Sequence, residues 1–344
     1  MANFQFEKIL VVKNRALGDS IFGLSVFSYL KSKCPNAHLT YALPSWIVPL
    51  YQKVDSDVDS FMEMNLKSLG GQISFLNAIR KGKYDLVIEL HDNPRSHRLL
   101  EIARFLFGIK LFHHNHHLSH LERTGIHDQG IRKAISQRDL DGAYSCLRFF
   151  NQSEELPHYL DCLPRLAPKE SIARKKAIIL GIVATREEKK WPIEHYAKLV
   201  ELVKSSHPDC KILVPISGSD EDQKLSQDLF DRVGEKVQVI KKSLADLPVE
   251  MSQAQVYIGN DTGLKHICAA LGLKTITIFG PEEPLEWHPY DKKQHPYFWI
   301  YGKDVRTGMH DVCLLKQFDK SVSIAEIKPE EVFSVISHHL DLNT

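Results

Sequence analysis

Three short strand-like runs, the first and third followed by a turn and then by helical spacing, set the rhythm of the first half. Ile9-Leu10-Val11-Val12 has no polar alternation, which fits a strand covered on both faces. Gly18-Asp19-Ser20 follows it, and apolar positions then recur at helical spacing over residues 21–33, closed by Cys34-Pro35-Asn36. Residues 38–43 predict a second strand, 84–90 a third, and 98–107 a helix after it. Strands alternating with helices imply parallel βαβ units.

Residues 157–176 interrupt that rhythm with Pro157, Pro164 and Pro168 and end in the basic cluster Arg174-Lys175-Lys176, as a linker does. The alternation then restarts: strand 177–183, helix 193–205, strand 211–216, helix 221–232, strands 237–240 and 255–258, helix 264–271, strand 275–279. A last helix, 329–340, opens with a proline, a favoured first position. The pattern predicts an α/β protein of two Rossmann-like domains, 1–165 and 166–325, with residues 326–344 as a C-terminal helix free to pack back on the first domain. A tandem of this kind is expected to bind ligands in a cleft between the carboxyl ends of its sheets.

The 344 residues suffice for two cores at about 150 per domain. Lys plus Arg is 44 against 43 for Asp plus Glu, a net charge of +1, so no global attraction to nucleic acid is expected. No stretch approaches the roughly 18 apolar residues of a membrane span. The first residues lack a basic region followed by an apolar core, so no signal peptide is expected. The six cysteines are scattered without a Cys-x-x-Cys pair, which argues against a zinc site or disulfide framework and fits a reducing cytoplasm.

Two turns carry most of the candidate chemistry. Asp19 follows the first strand and opens the first helix, where an α/β sheet puts its ligands; the alternative is a plain N-cap. Gly259-Asn260-Asp261-Thr262-Gly263-Leu264-Lys265-His266 lies between a strand and an Ala-rich helix. Free N–H groups and the positive end of the helix dipole make such a turn a diphosphate cradle, to which Thr262 adds a hydroxyl and Lys265 and His266 positive or donor groups. Lys189 or Lys190 of the loop 184–192 is expected to reach the phosphates, and Trp191 to pack.

Other motifs are set aside. Residues 18–23 have Walker-like glycine spacing, but Leu24 stands where the phosphate-binding lysine belongs. Gly18-Asp19-Ser20-Ile21 is also similar to an esterase block with Ser20 as nucleophile, yet no Asp in the chain has a His three residues on, so the base is missing. Asp55–Asp59 starts like a calcium loop but lacks the turn glycine and closing glutamate, and reads as a polar turn. The five histidines of 113–120 can take up metal only adventitiously, having no partner at fixed spacing, so no functional metal site is expected.

Val11-Val12-Lys13-Asn14-Arg15-Ala16-Leu17-Gly18-Asp19 resembles the opening of glycosyltransferase family 9, best known for ADP-heptose:lipopolysaccharide heptosyltransferases. Thr185–Pro192 resembles that family's donor loop, and Asp261-Thr262-Gly263 with His266, Phe279-Gly280-Pro281 and Trp287-His288-Pro289 resembles its most specific block. Leu264-Lys265 departs from the usual Pro-Met pair, and Glu282 stands where threonine is common.

The resemblance implies a GT-B fold, with the acceptor on the N-terminal domain and the nucleotide sugar on the C-terminal one, and inversion without a catalytic metal. It implies that Asp19 is the general base, for which Glu89 and Asp92, at the end of a later strand, are the fallback candidates. Donor binding is carried over to Thr185, Lys189, Asp222, Asp261, Thr262, Gly263 and His266, and acceptor binding to Lys13, Arg15 and Arg95. The expected reaction moves a heptose or similar sugar from an ADP-sugar, which is a co-substrate and not a cofactor, to a lipid-linked oligosaccharide of the lipopolysaccharide core. Contact with the inner leaflet is expected to be peripheral, from the cytoplasmic side. The rivals are a GT-B enzyme with another donor or acceptor, and a non-catalytic nucleotide-sugar binder, which has no need of Asp19.

Overall fold

The computed structural model describes residues 6–114, 133–150, 155–306, 313–318 and 321–339. The chain forms two compact units that part between Arg165 and Leu166.

The first unit carries five parallel strands, β1 (Lys8–Val12), β2 (His38–Pro44), β3 (Ser60–Met64), β4 (Leu86–Glu89) and β5 (Lys110–His113), in the order β3-β2-β1-β4-β5. The all-apolar run Ile9–Val12 is fully buried because β1 is the central strand. The helix expected over 21–33 is two segments, α1 (Leu17–Phe22) and α2 (Leu24–Lys33). The break has a steric cause. The Tyr41 ring of β2 presses on Gly23, where a Cβ would collide with its hydroxyl, and that hydroxyl donates to the Ser20 carbonyl at 3.2 Å.

Four elements of this unit went unforeseen: β3, β5, α3 (Leu69–Gly82) and α5 (Ile135–Phe149), the last following α4 (Pro94–Phe107). Ser68 caps α3 by accepting from Gly71 N at 3.1 Å, and Asn93 caps α4 ahead of Pro94. One core under the sheet gathers Leu10, Val12, Phe75, Val87 and Leu100. The Asp55–Asp59 segment is a polar turn: Asp57 accepts from Ser28, and Asp59 from Leu39 N and Lys31 Nζ, both at 2.7 Å.

The second unit has six parallel strands, β6 (Ala177–Gly181), β7 (Lys211–Pro215), β8 (Gln238–Ile240), β9 (Val256–Asn260), β10 (Lys274–Ile278) and β11 (Tyr297–Phe298), in the order β8-β7-β6-β9-β10-β11. This is the doubly wound dinucleotide-fold order, and the first unit repeats its first five positions. Helices α6 (Ile193–Ser206), α7 (Asp220–Val233), α8 (Leu247–Met251), α9 (Gly263–Ala270) and α10 (Pro284–Trp287) connect the strands. The fold is therefore the expected pair of Rossmann-like α/β domains.

The C-terminal helix α11 (Pro329–His339) corrects one expectation. It belongs to the second unit, packed on α6, because Val332 and Ile336 are fully buried in that unit's core with Ile178, Tyr196 and Val200. Five of the six cysteines (Cys34, Cys146, Cys162, Cys210, Cys268) are buried and free. No described helix is long and apolar enough to cross a membrane.

Candidate functional site

The strongest turn in the sequence is assembled by close backbone approach. Gly259 pairs with Gly181 across β9 and β6, and a Cβ on Gly259 would strike the Gly181 carbonyl. Gly280, after β10, lies against the loop of Lys189; a Cβ there would sit 2.6 Å from the Glu188 carbonyl oxygen. These two glycines bring three loops of the second unit together. Asn260 fastens the assembly. Its buried Oδ1 accepts from Trp191 N at 3.0 Å and from the Tyr196 hydroxyl at 2.9 Å, and its Nδ2 donates to Ile182 O at 2.7 Å.

Asp261 lies between two lysines. Its Oδ1 is 2.5 Å from Lys265 Nζ and its Oδ2 is 3.4 Å from Lys189 Nζ. Lys189 also stands 3.6 Å from Glu282, which pairs with Arg186 as well. Lys265 is fully buried, donates to Trp287 O at 3.0 Å and lies over the Phe279 ring. Burial pulls its ammonium down to about 8, with Asp261 opposing the shift. Thr262 is the N-cap of α9 by backbone, yet its side chain makes no capping bond, and Gly263 is the first helical residue.

Two alternatives left open for this turn are narrowed. His266 adds no positive charge, because burial and the nearby Lys265 hold its imidazole well below the ordinary histidine value. It is a neutral partner whose Nδ1 lies 2.8 Å from the Tyr290 hydroxyl. Of the loop lysines, Lys189 meets Asp261, whereas Lys190 turns to Glu187 and Glu221. Trp191 packs as expected, buried with its Nε1 donating to Ile327 O at 3.0 Å. Thr185 is exposed. Asp222 serves its own loop, accepting from Ser217 N at 3.0 Å, and no described bond joins it to Lys189 or Asp261.

In the first unit Asp19 lies inside the first turn of α1, two positions past Leu17, so the N-cap reading fails: the N-cap is Ala16. Asp19 is buried. Its Oδ2 is 3.7 Å from Arg15 Nε, and its Oδ1 has no hydrogen-bond partner among the described residues. Ser20 Oγ bonds Leu17 O and the Tyr51 hydroxyl and meets no histidine among the described residues, which speaks against the esterase reading. Lys13 corrects the expectation of a free acceptor ligand: it has no accessible surface, and its ammonium closes on Asp139 of α5. Arg95 is exposed in the first turn of α4.

Residues that the motif reading did not single out are Asn260, whose triple bonding only long-range structure reveals, and Tyr290, the partner of His266. A further group gathers at the ends of β4 and β5, where Glu89, Asp92, His97 and His113 converge. Within the histidine tract, His113 ends β5 and His114 is buried, while 115–120 lie outside the described residues.

The family profile described as Glycosyltransferase family 9 (heptosyltransferase) matches residues 73–311. The chain is 23% identical over 356 aligned positions to lipooligosaccharide heptosyltransferase 2 of Haemophilus influenzae, covering 94% of this chain and 96% of the relative. It is 22% identical to lipopolysaccharide heptosyltransferase 1 of Escherichia coli, covering 83% and 92%. Among solved structures it is similar to the E. coli ADP-heptose lipopolysaccharide heptosyltransferase II, with a TM-score of 0.70 at 19% identity over 98% and 99% of the two chains. An E. coli heptosyltransferase solved with ADP-2-deoxy-2-fluoro heptose superimposes with a TM-score of 0.67 at 17% identity, covering 97% and 100%.

Proposed function

The chain belongs to glycosyltransferase family 9, and we propose that it is an inverting enzyme that moves a heptose from an ADP-activated donor to the saccharide core of a lipopolysaccharide or lipooligosaccharide. The observation that carries this reading is the Lys189–Asp261–Lys265 cluster at the start of α9. Support comes from the family match and from relatives named as heptosyltransferases of both glycans.

In this reading the second unit binds the donor. The leaving ADP gains negative charge as the glycosidic bond breaks. The N–H groups that open α9 and the Lys189 ammonium meet that charge, doing what a metal does elsewhere. Asp261, held from both sides, is oriented toward the sugar hydroxyls, with Thr262 and Gly263 lining the turn. Glu282 holds Lys189 and Arg186 until a diphosphate competes for them.

The first unit supplies the acceptor side. Asp19 takes the proton of the attacking hydroxyl as that oxygen bonds to the anomeric carbon, on the face opposite ADP. Its unpartnered Oδ1 is the atom for that proton. Arg15 and Arg95 bind acceptor anions, and Lys13 acts through Asp139 as a positioning residue. Membrane contact is peripheral, from the cytoplasmic side.

The test is a donor screen by mass spectrometry with purified protein, ADP-, UDP- and GDP-sugars, and core oligosaccharide acceptors. The expected product carries one added heptose and forms only from the ADP-sugar. Transfer from a UDP- or GDP-sugar, with none from ADP-heptose, overturns the donor assignment.

A further inference from the structure

Glu89 and His113 are the last residues of β4 and β5, and the parallel register sets them directly side by side. Asp92 follows Glu89 in the loop, and His97 stands on the first turns of α4. One ligating atom from each of the four lies within 4.8 Å of the others. The two imidazoles stack with centroids 3.9 Å apart. His113 Nδ1 is 2.5 Å from Glu89 Oε2, and His97 Nδ1 is 2.5 Å from Asp92 Oδ1. We propose that Glu89, Asp92, His97 and His113 bind a divalent first-row transition ion of the zinc type.

Three features carry the assignment. The donor set is two imidazoles and two carboxylates, which suits zinc, iron or cobalt better than the all-oxygen ions magnesium and calcium. Bonds of about 2.0–2.2 Å from nitrogen and oxygen require donors near 3.3 Å apart, so the widest separations of the cluster close by about 1.5 Å while the two 2.5 Å pairs open by about 0.8 Å, through Asp92 on its loop and rotation of the His97 side chain on the first turns of α4.

The second feature is charge. Glu89 is 1% exposed, and no lysine or arginine pairs with it among the described residues. Among the described residues its carboxylate is held by Ser96 and His113. A buried carboxylate needs a full counter-charge, and a dication shared with Asp92 supplies it.

The third is the far side of His113. Its Nε2 is 3.1 Å from Glu101 Oε1, and Glu101 is in turn paired with Arg104 at 2.6 Å. A bound ion would replace the proton that Nδ1 shares with Glu89, and the Glu101 carboxylate accepting from Nε2–H would then fix the tautomer and the ring orientation, as for metal-bound histidines. The ion would pin the loop between β4 and α4, next to Arg95 on the first turn of α4. It lies in the first unit and takes no part in the transfer step proposed above.

Cobalt(II) is the probe. Metal-stripped protein is titrated with it and read by visible absorption, with zinc displacement as the check. One equivalent is expected to bind with intense bands of low coordination number, and zinc but not magnesium abolishes them. His97→Ala and Asp92→Asn should each weaken binding at least tenfold, and Glu101→Gln, which removes no ligand, by about 10–100-fold. Unchanged near-UV circular dichroism and an unchanged thermal transition certify that each variant is folded. Replacing His116, His117 and His120 together by alanine should leave the signal intact. Failure of the folded wild type to bind one equivalent overturns the proposal. So does a signal that survives His97→Ala but vanishes with the triple replacement.

Discussion

Asp261 and Asp19 both follow a central strand of a parallel sheet, yet their surroundings differ. Asp261 has a lysine on each oxygen, at 2.5 and 3.4 Å. Asp19 has one arginine at 3.7 Å and one oxygen without a hydrogen-bond partner. A carboxylate clamped from two sides keeps its direction, which suits holding a ligand. One with a vacant lone pair in a buried setting suits accepting a proton. The same residue type thus takes opposite tasks in two similar folds, and the neighbours decide which.

The sharpest way to break that contrast is Asp19→Asn, a nearly isosteric change. Turnover should fall by about 10²–10⁴-fold while ADP-sugar affinity stays near wild type, since a missing base affects the rate alone. Near-normal turnover would transfer the role to another carboxylate. On the other side, Lys189→Ala should weaken ADP by about tenfold or more, given about 1.5–3 kcal/mol for a charged phosphate contact. Calorimetry that finds unchanged ADP affinity in this variant removes Lys189 from the donor site.

Smaller effects sharpen the picture. Glu282→Thr removes an internal anion that competes with diphosphate for Arg186 and Lys189. These pairs are partly exposed, so the gain in ADP affinity should be about 0.2–1 kcal/mol, up to roughly fivefold. A loss of affinity on this substitution would mean that Glu282 itself serves the donor. The least effect concerns Lys265, whose folded value of about 8 lies below the ordinary 10.5 because of burial. Below about 8 both folded and unfolded chains carry the proton and the burial cost is fully felt. Between about 8 and 10.5 only the unfolded chain keeps it, so folding gains as pH rises. Denaturant titrations should show wild type gaining on Lys265→Met across that window, and a constant difference would contradict a buried, depressed lysine.

The sequence was legible wherever a signal was local. The apolar runs of β1, β4, β6 and β9 are buried as their patterning requires, and the glycine-rich turn before α9 stands out by polar density against an apolar background. What escaped was long-range. The split of α1 from α2 depends on Tyr41 of another strand. α5 carries Asp139 and Asp141, which look like surface residues until Lys13 and Lys133 are found against them. His266 reads as a positive or a donor group until its burial against Tyr290, 24 residues on, shows it to be neutral. The Glu89–His113 pairing exists only through sheet register, between residues 24 apart in sequence.

One bond reaches further than its size suggests. Asn260 holds Trp191 at its backbone, and the Trp191 indole is tied to the Ile327 carbonyl at 3.0 Å, just ahead of α11. The donor turn and the tail of the second unit are therefore a single transplantable part. Anyone recombining family members to exchange donor preference has to cut before Leu166 and carry everything through α11. A chimera that grafts the central strands but keeps a foreign tail leaves the indole facing an unrelated backbone, and inherits the new specificity residues without their alignment.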